Sequence, residues 1–253
     1  MSFMDQLSKP ETGAIAVTIL ADSGLGKTRL AATFPSPVFI RAEDGMKSIP
    51  EAERPMAFPL LRSVDDLWGQ LSELIKADHE FKTVVIDSVT ALERMFEDYI
   101  VANDPKKPKS INQANGGYGA GPKAVGEMHQ KVRRAAQKLL DKGVNVVFIA
   151  HADTEKVEPP DQDAYTRYQL RLGKRSVAPY VDDSDVVGYI KLVTFTHGEE
   201  GKTKAISDGT RALVCYATAS SVSKNRFNIT GDLEFEAGTN PLVDYIPSLK
   251  TNS

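Results

Sequence analysis

Ten residues constrain this chain more than any other stretch: Ile19-Leu20-Ala21-Asp22-Ser23-Gly24-Leu25-Gly26-Lys27-Thr28. They follow an apolar run over residues 14–20 that predicts a buried strand, and they precede residues 29–34, which predict a helix. Strand, glycine-containing turn and helix in that order form a phosphate-binding loop. The glycines let the backbone fold with its N–H groups inward, and the helix turns its positive end to the same anion. Lys27 then reaches the β- and γ-phosphates, and the Thr28 hydroxyl joins the coordination of Mg²⁺. Asp22, Ser23, Gly24, Leu25, Gly26, Lys27, Thr28 and Arg29 are therefore the candidates for holding a nucleotide. Ala21 stands where the usual pattern has its first glycine, at a position that closes the turn and needs only a small residue. The competing reading is a chance Gly-Lys-Thr turn.

Further apolar runs end in polar residues, as strands of an open α/β sheet do where they meet a ligand crevice. Residues 37–40 predict a strand beside the first one, followed by Arg41-Ala42-Glu43-Asp44-Gly45. There Glu43 is placed to activate a water against the γ-phosphate; otherwise the acids belong to a solvated turn. Residues 56–61 predict a short strand. Ser63 predicts a helix N-cap ahead of Val64, Leu67, Trp68, Leu71, Leu74 and Ile75 at helical spacing. Thr83-Val84-Val85-Ile86-Asp87-Ser88 is a buried strand that delivers Asp87 to Mg²⁺ beside the loop. Residues 144–151 form another such strand, ending in His151, either a sensor of the γ-phosphate or a structural histidine. Alternating strands and helices predict a mostly parallel sheet. From Asp185 the pattern changes to short strands with turns such as His197-Gly198-Glu199 and Asp208-Gly209-Thr210, which predict an antiparallel extension.

Two stretches have a different texture. Residues 103–122 carry Lys106, Lys107 and Lys109, then glycines around Tyr118, and Pro122 opens a long amphipathic helix that stops at Gly143. Residues 152–179 read as a second loop, with Lys156, Tyr165, Arg167, Tyr168, Arg171, Lys174 and Arg175. Charges for phosphates interleaved with rings for bases suit single-stranded nucleic acid; solvated mobile loops are the alternative for both.

Composition narrows the setting. A net charge of −3 over 253 residues excludes global basic character, so nucleic-acid binding has to come from local patches. The one cysteine, Cys215, excludes an internal disulfide and a thiolate zinc cluster, and its apolar surroundings over 211–216 assign it to the core. Residues 1–14 contain no apolar signal core, and no run approaches the ~20 apolar residues of a membrane span. A cytoplasmic protein with no membrane partner is expected, in a bacterial host if the gene is a phage's.

In the order of these features the chain resembles the RecA/RadA ATPase core, most closely the compact phage versions among single-strand annealing and recombination proteins. The resemblance spans residues 14–227 and implies an α/β P-loop NTPase core with a mostly parallel central sheet and an antiparallel C-terminal extension. It implies one domain over 1–253, with an N-terminal extension over 1–13 and a C-terminal tail over 238–253 that carries little chemistry. Glu43 matches the family's catalytic glutamate, and Asp87-Ser88 its magnesium-side strand end. His151 takes the place of the residue that couples the γ-phosphate to DNA. The loops over 103–122 and 153–175 occupy the positions of two DNA-binding loops, so Lys106, Lys107, Lys109, Tyr118, Lys156, Arg167, Tyr168 and Arg171 are the DNA candidates. Lys224-Asn225-Arg226-Phe227 is similar to the Lys-Asn-Arg-Phe-Gly motif of RadA, whose basic residues act on a neighbour's nucleotide, with Asn228 in place of the glycine.

The implied function is that of a Mg²⁺- and ATP-dependent ATPase that binds single-stranded DNA and promotes annealing or recombination. Lys27, Glu43, His151, Lys224 and Arg226 would be its catalytic set. It would work as a ring or short filament with nucleotide at subunit interfaces, and a single-strand DNA-binding protein is a further possible partner. The alternatives are a P-loop kinase of a small metabolite, and a non-hydrolytic assembly or loader protein switched by nucleotide.

Overall fold

The computed structural model describes residues 3–8, 12–197, 204–206 and 209–250. Strand β1 (Ala16–Ala21) runs into the glycine turn and a short helix α1 (Lys27–Ala31), which gives way to turns through Phe34. The helix is thus earlier and shorter than the expected 29–34. Strand β2 (Pro37–Arg41) and the two-residue β3 (Met56–Ala57) lead to helix α2 (Val64–Lys76). Ser63 caps α2 as expected: its Oγ accepts from the Asp66 amide at 3.1 Å, and Asp66 Oδ2 accepts from the Ser63 amide at 3.0 Å. Strand β4 (Thr83–Asp87) and helix α3 (Val89–Asn103) follow, then helix α4 (Ala120–Asp141), which begins two residues ahead of Pro122. Gly143 adopts φ 79°, the left-handed geometry that ends a helix.

The second half holds the larger departures. Strand β5 (Asn145–Val157) does not stop at His151 but continues as one arm of a hairpin with β6 (Tyr165–Leu170). Residues 152–157 and 165–170 of the expected second loop are therefore paired backbone. Its alternating exposed and half-buried residues over 154–157 are the signature of a two-sided ribbon, which has no apolar run. A turn of helix α5 (Ala178–Val181) precedes strand β7 (Val186–Leu192), which pairs parallel to β1, so the antiparallel part starts later than Asp185. Strands β8 (Phe195–His197) and β9 (Lys204–Ile206) pair with each other in a separate two-stranded sheet, off the central one. The turns expected at 198–199 and at Asp208 lie outside the described residues. Strands β10 (Arg211–Val214), β11 (Lys224–Asn225) and β12 (Leu233–Phe235) complete the antiparallel edge.

Among the described residues the central sheet has the order β12-β10-β7-β1-β5-β4-β2-β3, with β11 on β7 and β6 on β5. Both faces are covered, which is why the strands read as continuous apolar runs instead of alternating ones. One face buries Ala16, Leu20, Val84, Ile86, Val146 and Phe148 under α2, α3 and α4. The other buries Val17, Ile19, Val85, Val147 and Ile149 with Leu30 of α1 and with Leu242, Ile246 and Leu249. Those last three lie in the segment expected as a tail over 238–253, and its described part, 238–250, packs on the second core. Trp68 is partly buried against the first core and stacks on Phe96.

The first loop is also more ordered than expected. The Asp104 carboxylate accepts from the amides of Lys106 at 2.8 Å and Asn115 at 2.6 Å, and a 3-10 turn runs over Ile111–Gly116. Gly121 is confined by it, because a Cβ there would stand 1.9 Å from the Ile111 carbonyl oxygen.

Cys215 is fully buried, and burial pushes its thiol up to about 12. At pH 8 the native protein should accordingly resist a thiol reagent, since the thiolate is the reactive form. One equivalent should react once guanidinium unfolds the chain, and rapid labelling without denaturant would contradict this packing.

Candidate functional site

Polar side chains from the loop after β1, from the turn after β2 and from His151 partway along β5 converge on a cavity of about 670 Å³. The loop after β1 turns through Gly24 (φ 82°) and Gly26 (φ 91°), conformations that only glycine adopts without strain. Ser23, Gly24, Gly26, Lys27, Thr28 and Arg29 line the cavity. Asp22 holds Lys27 through its carbonyl, and Leu25 packs on the second core. Lys27 Nζ donates to the carbonyls of Ala21 (3.0 Å) and Asp22 (2.9 Å). Burial lowers its pKa, opposed by the charges of Asp87, Glu43 and Asp22.

Asp87 is 1% exposed and accepts from Thr28 Oγ1 at 2.8 Å. Burial drives its carboxyl up to about 6, with the Thr28 hydrogen bond working against the rise and the Glu43 charge adding to it. A carboxylate held this far out of water favours a cation beside it. Thr28 and Asp87 together fit one face of a hard cation such as Mg²⁺, whose other ligands would be phosphate oxygens and water. When bound, such an ion supplies charge neutralisation at the β- and γ-phosphates. Gly45 shapes the same spot: a Cβ on it would stand 2.7 Å from Thr28 Oγ1 and 2.8 Å from Asp87 Oδ2.

Glu43 arrives by an indirect route. Strand β2 is separated from β1 by β4 and β5, contrary to the expectation that they are neighbours. The turn after β2 folds over the end of β4, with the amides of Ala42 and Glu43 donating to the Asp87 carbonyl at 2.6 and 3.1 Å. This brings the Glu43 carboxylate to His151, whose Nε2 lies 3.0 Å from Oε1 and 3.3 Å from Oε2. The His151 hydrogen bond holds Glu43 below the ordinary glutamate value against its desolvation, so Glu43 is ionised at neutral pH. His151 Nδ1 lies 3.4 Å from Ser23 Oγ, so one imidazole spans the phosphate loop and the glutamate. Asp44 is occupied by Lys47 at 3.0 Å and Arg41 at 3.6 Å.

The remaining candidates lie elsewhere. Lys224 donates to the Asp182 carbonyl at 2.7 Å, and Arg226 pairs with Asp185 at 3.1 Å. Both sit at the amino ends of β1 and β7, roughly 15–20 Å from the phosphate loop at ~3.3 Å per strand residue, so within one chain they do not meet the site. On the hairpin, Arg167 pairs with Glu155 at 2.7 Å, Lys156 with Glu158 at 2.6 Å, and Tyr168 stacks on Tyr189 with centroids 4.5 Å apart. Arg171 donates to the Ala152 carbonyl at 2.9 Å and lies close enough to depress the Lys27 pKa. Lys106, Lys107 and Lys109 are exposed, and Tyr118 stands fully in solvent between positive-φ glycines.

Among the cavity residues that sequence reasoning missed are Gly45 and Arg211. Gly45 was legible only as the end of a turn. Arg211 lines the cavity from the antiparallel edge, where no motif marks it. Placing a methyl group at Gly45 by Gly45→Ala should drive the Thr28–Asp87 pair apart. We expect Mg²⁺-dependent nucleotide affinity to fall by roughly tenfold or more, the scale of one charge-assisted contact. Equilibrium binding with and without Mg²⁺ checks this, and equal affinity for the variant would show that the pair has room to move.

A family profile described as an AAA domain matches residues 14–227, from just ahead of β1 through the Lys-Asn-Arg-Phe run. The SPbeta prophage-derived uncharacterized protein YorG of Bacillus subtilis (strain 168) is 25% identical over 178 residues, which is 69% of this chain and 50% of that protein. The chain thus spans about half the length of this curated relative. The matched span contains the phosphate loop, the buried acid at the end of β4 and the strand between them, and the chain belongs to the AAA domain family of P-loop ATPases.

Proposed function

We propose that this ATPase is of the RecA/RadA-like phage type: it hydrolyses ATP with Mg²⁺, binds single-stranded DNA, and promotes annealing or recombination. The observation that carries this reading is the position of His151. Its ring contacts Glu43 and Ser23 at the phosphate site, and the next residue along β5 begins the hairpin, with the Arg171 amide donating to the His151 carbonyl at 2.8 Å. A change at the γ-phosphate therefore has a one-residue path into a basic ribbon.

The segment that follows β6 adjoins the first loop. Residue 175 packs on α4 at Gly126, where a Cβ would stand 2.8 Å from the Arg175 carbonyl, and its guanidinium lies 3.8 Å from the same point built on Gly119. Together with Lys106, Lys107, Lys109 and Tyr118 this favours one continuous path for a strand, with charges on phosphates and rings on bases. Arg167, Lys156 and Tyr168 contribute by releasing Glu155, Glu158 and Tyr189.

In the chemistry Glu43 is the base that orients and deprotonates water, with His151 fixing its carboxylate until DNA draws the imidazole away. Lys27 stabilises charge on the β- and γ-phosphates. Lys224 and Arg226 act only on a neighbour's nucleotide, because their own lies at the other end of the sheet, so the reading requires a homo-oligomer, ring or short filament. A single-strand DNA-binding protein as partner and a cytoplasmic setting follow from this role. The dependence of Lys224 and Arg226 on a second copy also favours, as a second reading, a nucleotide-switched assembly protein.

Phosphate release from ATP, measured with and without single-stranded DNA, separates the two. DNA should stimulate turnover, and Glu43→Gln should lower it by about 10²- to 10⁴-fold, the usual contribution of a positioned base, while leaving nucleotide binding intact. Turnover indifferent to both DNA and the substitution would favour the assembly switch.

A further inference from the structure

Besides Lys27 the cavity is lined by the cations Arg29, Lys47 and Arg211; Arg29 pairs with Glu53 and Lys47 with Asp44, whereas none of the chemistry above uses Arg211. It opens β10, where its backbone is fixed between Leu192 of β7 and Phe235 of β12. Its side chain is half-buried, its Nε is shielded from solvent without a hydrogen-bond partner, and among the described residues it makes no ion pair. The guanidinium lies over the glycine turn: a Cβ built on Gly26 would stand 3.6 Å from Arg211 Nε and 4.0 Å from Cζ. A permanent cation in the wall of a cavity, half-buried and without an ion-pair partner among the described residues, calls for an anion with oxygens in the plane of its fork.

We infer that Arg211 is a phosphate ligand in its own subunit's site, supplied by the antiparallel edge and directed at the α- and β-phosphates of the bound nucleotide. The sheet order decides which phosphates. Glu43 and His151 reach the loop from the β5 side, where the γ-phosphate is attacked, whereas Arg211 reaches it from the β7 side across Gly26. Beside it stand Phe235, Ala237 and Gly238, an apolar wall suited to the nucleoside end. The charge is therefore spent on phosphates that remain after hydrolysis. The strands after β7 thereby become part of the nucleotide site, and the segment after β12 braces them.

This inference rests on the ATP-binding reading, and the experiment keeps the two apart. Binding of methylanthraniloyl-ADP and of its non-hydrolysable triphosphate analogue to the full chain is followed by fluorescence anisotropy in Mg²⁺ buffer. Wild type is compared with Arg211→Ala, Arg211→Gln, Arg211→Lys and Lys27→Ala, with the melting temperature of each variant recorded. Arg211→Ala and Arg211→Gln should weaken both nucleotides alike, by roughly ten- to a hundredfold, the range for a charge-assisted bidentate contact. Arg211→Lys should recover part of the loss, since it keeps the charge without the fork. Affinities within twofold of wild type in folded Arg211 variants overturn the inference while the ATP reading stands. Loss confined to the triphosphate overturns the placement on the α- and β-phosphates. A wild type that binds neither nucleotide, like Lys27→Ala, overturns the ATP reading and this inference with it.

Discussion

The hydrogen bond from Thr28 to Asp87 ties the loop after β1 to the end of β4 across the full width of β5. Asp87 is buried because its strand is covered on both faces, and a buried carboxylate without a cation depends on whatever donors surround it. The consequence is a site assembled across three neighbouring strands: phosphate loop, histidine and acid lie in a row because β1, β5 and β4 do. Everything farther out reaches this row by bending over it. The turn after β2 does so by hanging two amides on the Asp87 carbonyl, and Gly45 keeps that turn close enough to crowd the Thr28 hydroxyl.

Strand β5 links the site to the rest of the surface. Its first half is an apolar core strand, and its second half leaves the sheet's covered zone and becomes a hairpin arm. His151 stands at the change-over, so its ring is in the crevice while its backbone belongs to the ribbon. The ribbon's cations are largely engaged with its own acids, at distances of 2.6 to 2.7 Å, although such exposed pairs are individually weak and exchange readily for other anions. The first loop differs: its lysines are exposed, and Asp104 is engaged by backbone amides that shape the turn.

On the other side of β1 the antiparallel strands do more than close an edge. Strand β7 continues the parallel sheet, β10 returns along it, and β12 and the segment to Leu249 bury apolar side chains against the second core. The return strand starts at the crevice end with Arg211, opposite Leu192 at the end of β7. By the same geometry β11 leaves Lys224 and Arg226 at the opposite end. One antiparallel edge thus divides its cations between the two ends of the molecule.

Local signals determined a good part of this. The loop over 22–28, the strand end at Asp87, the Ser63 cap and the Gly143 stop all depend on a few adjacent residues whose conformational preferences are strong, and each stands where the sequence placed it. The parallel core was legible because strands buried on both faces must be apolar throughout, and such runs are visible in a sequence of 253 residues. Tertiary structure decided the rest. The hairpin over 152–170 was hidden because a two-sided ribbon has no apolar run. The burial of Leu242, Ile246 and Leu249 was hidden because apolar residues in a short segment without regular spacing reveal nothing about the surface they cover. The meeting of Glu43 with His151, the crowding at Gly45 and the arrival of Arg211 over Gly26 join residues 43 and 151, 45 and 87, and 26 and 211. Contacts between positions so far apart along the chain are set by strand order, which no local propensity encodes.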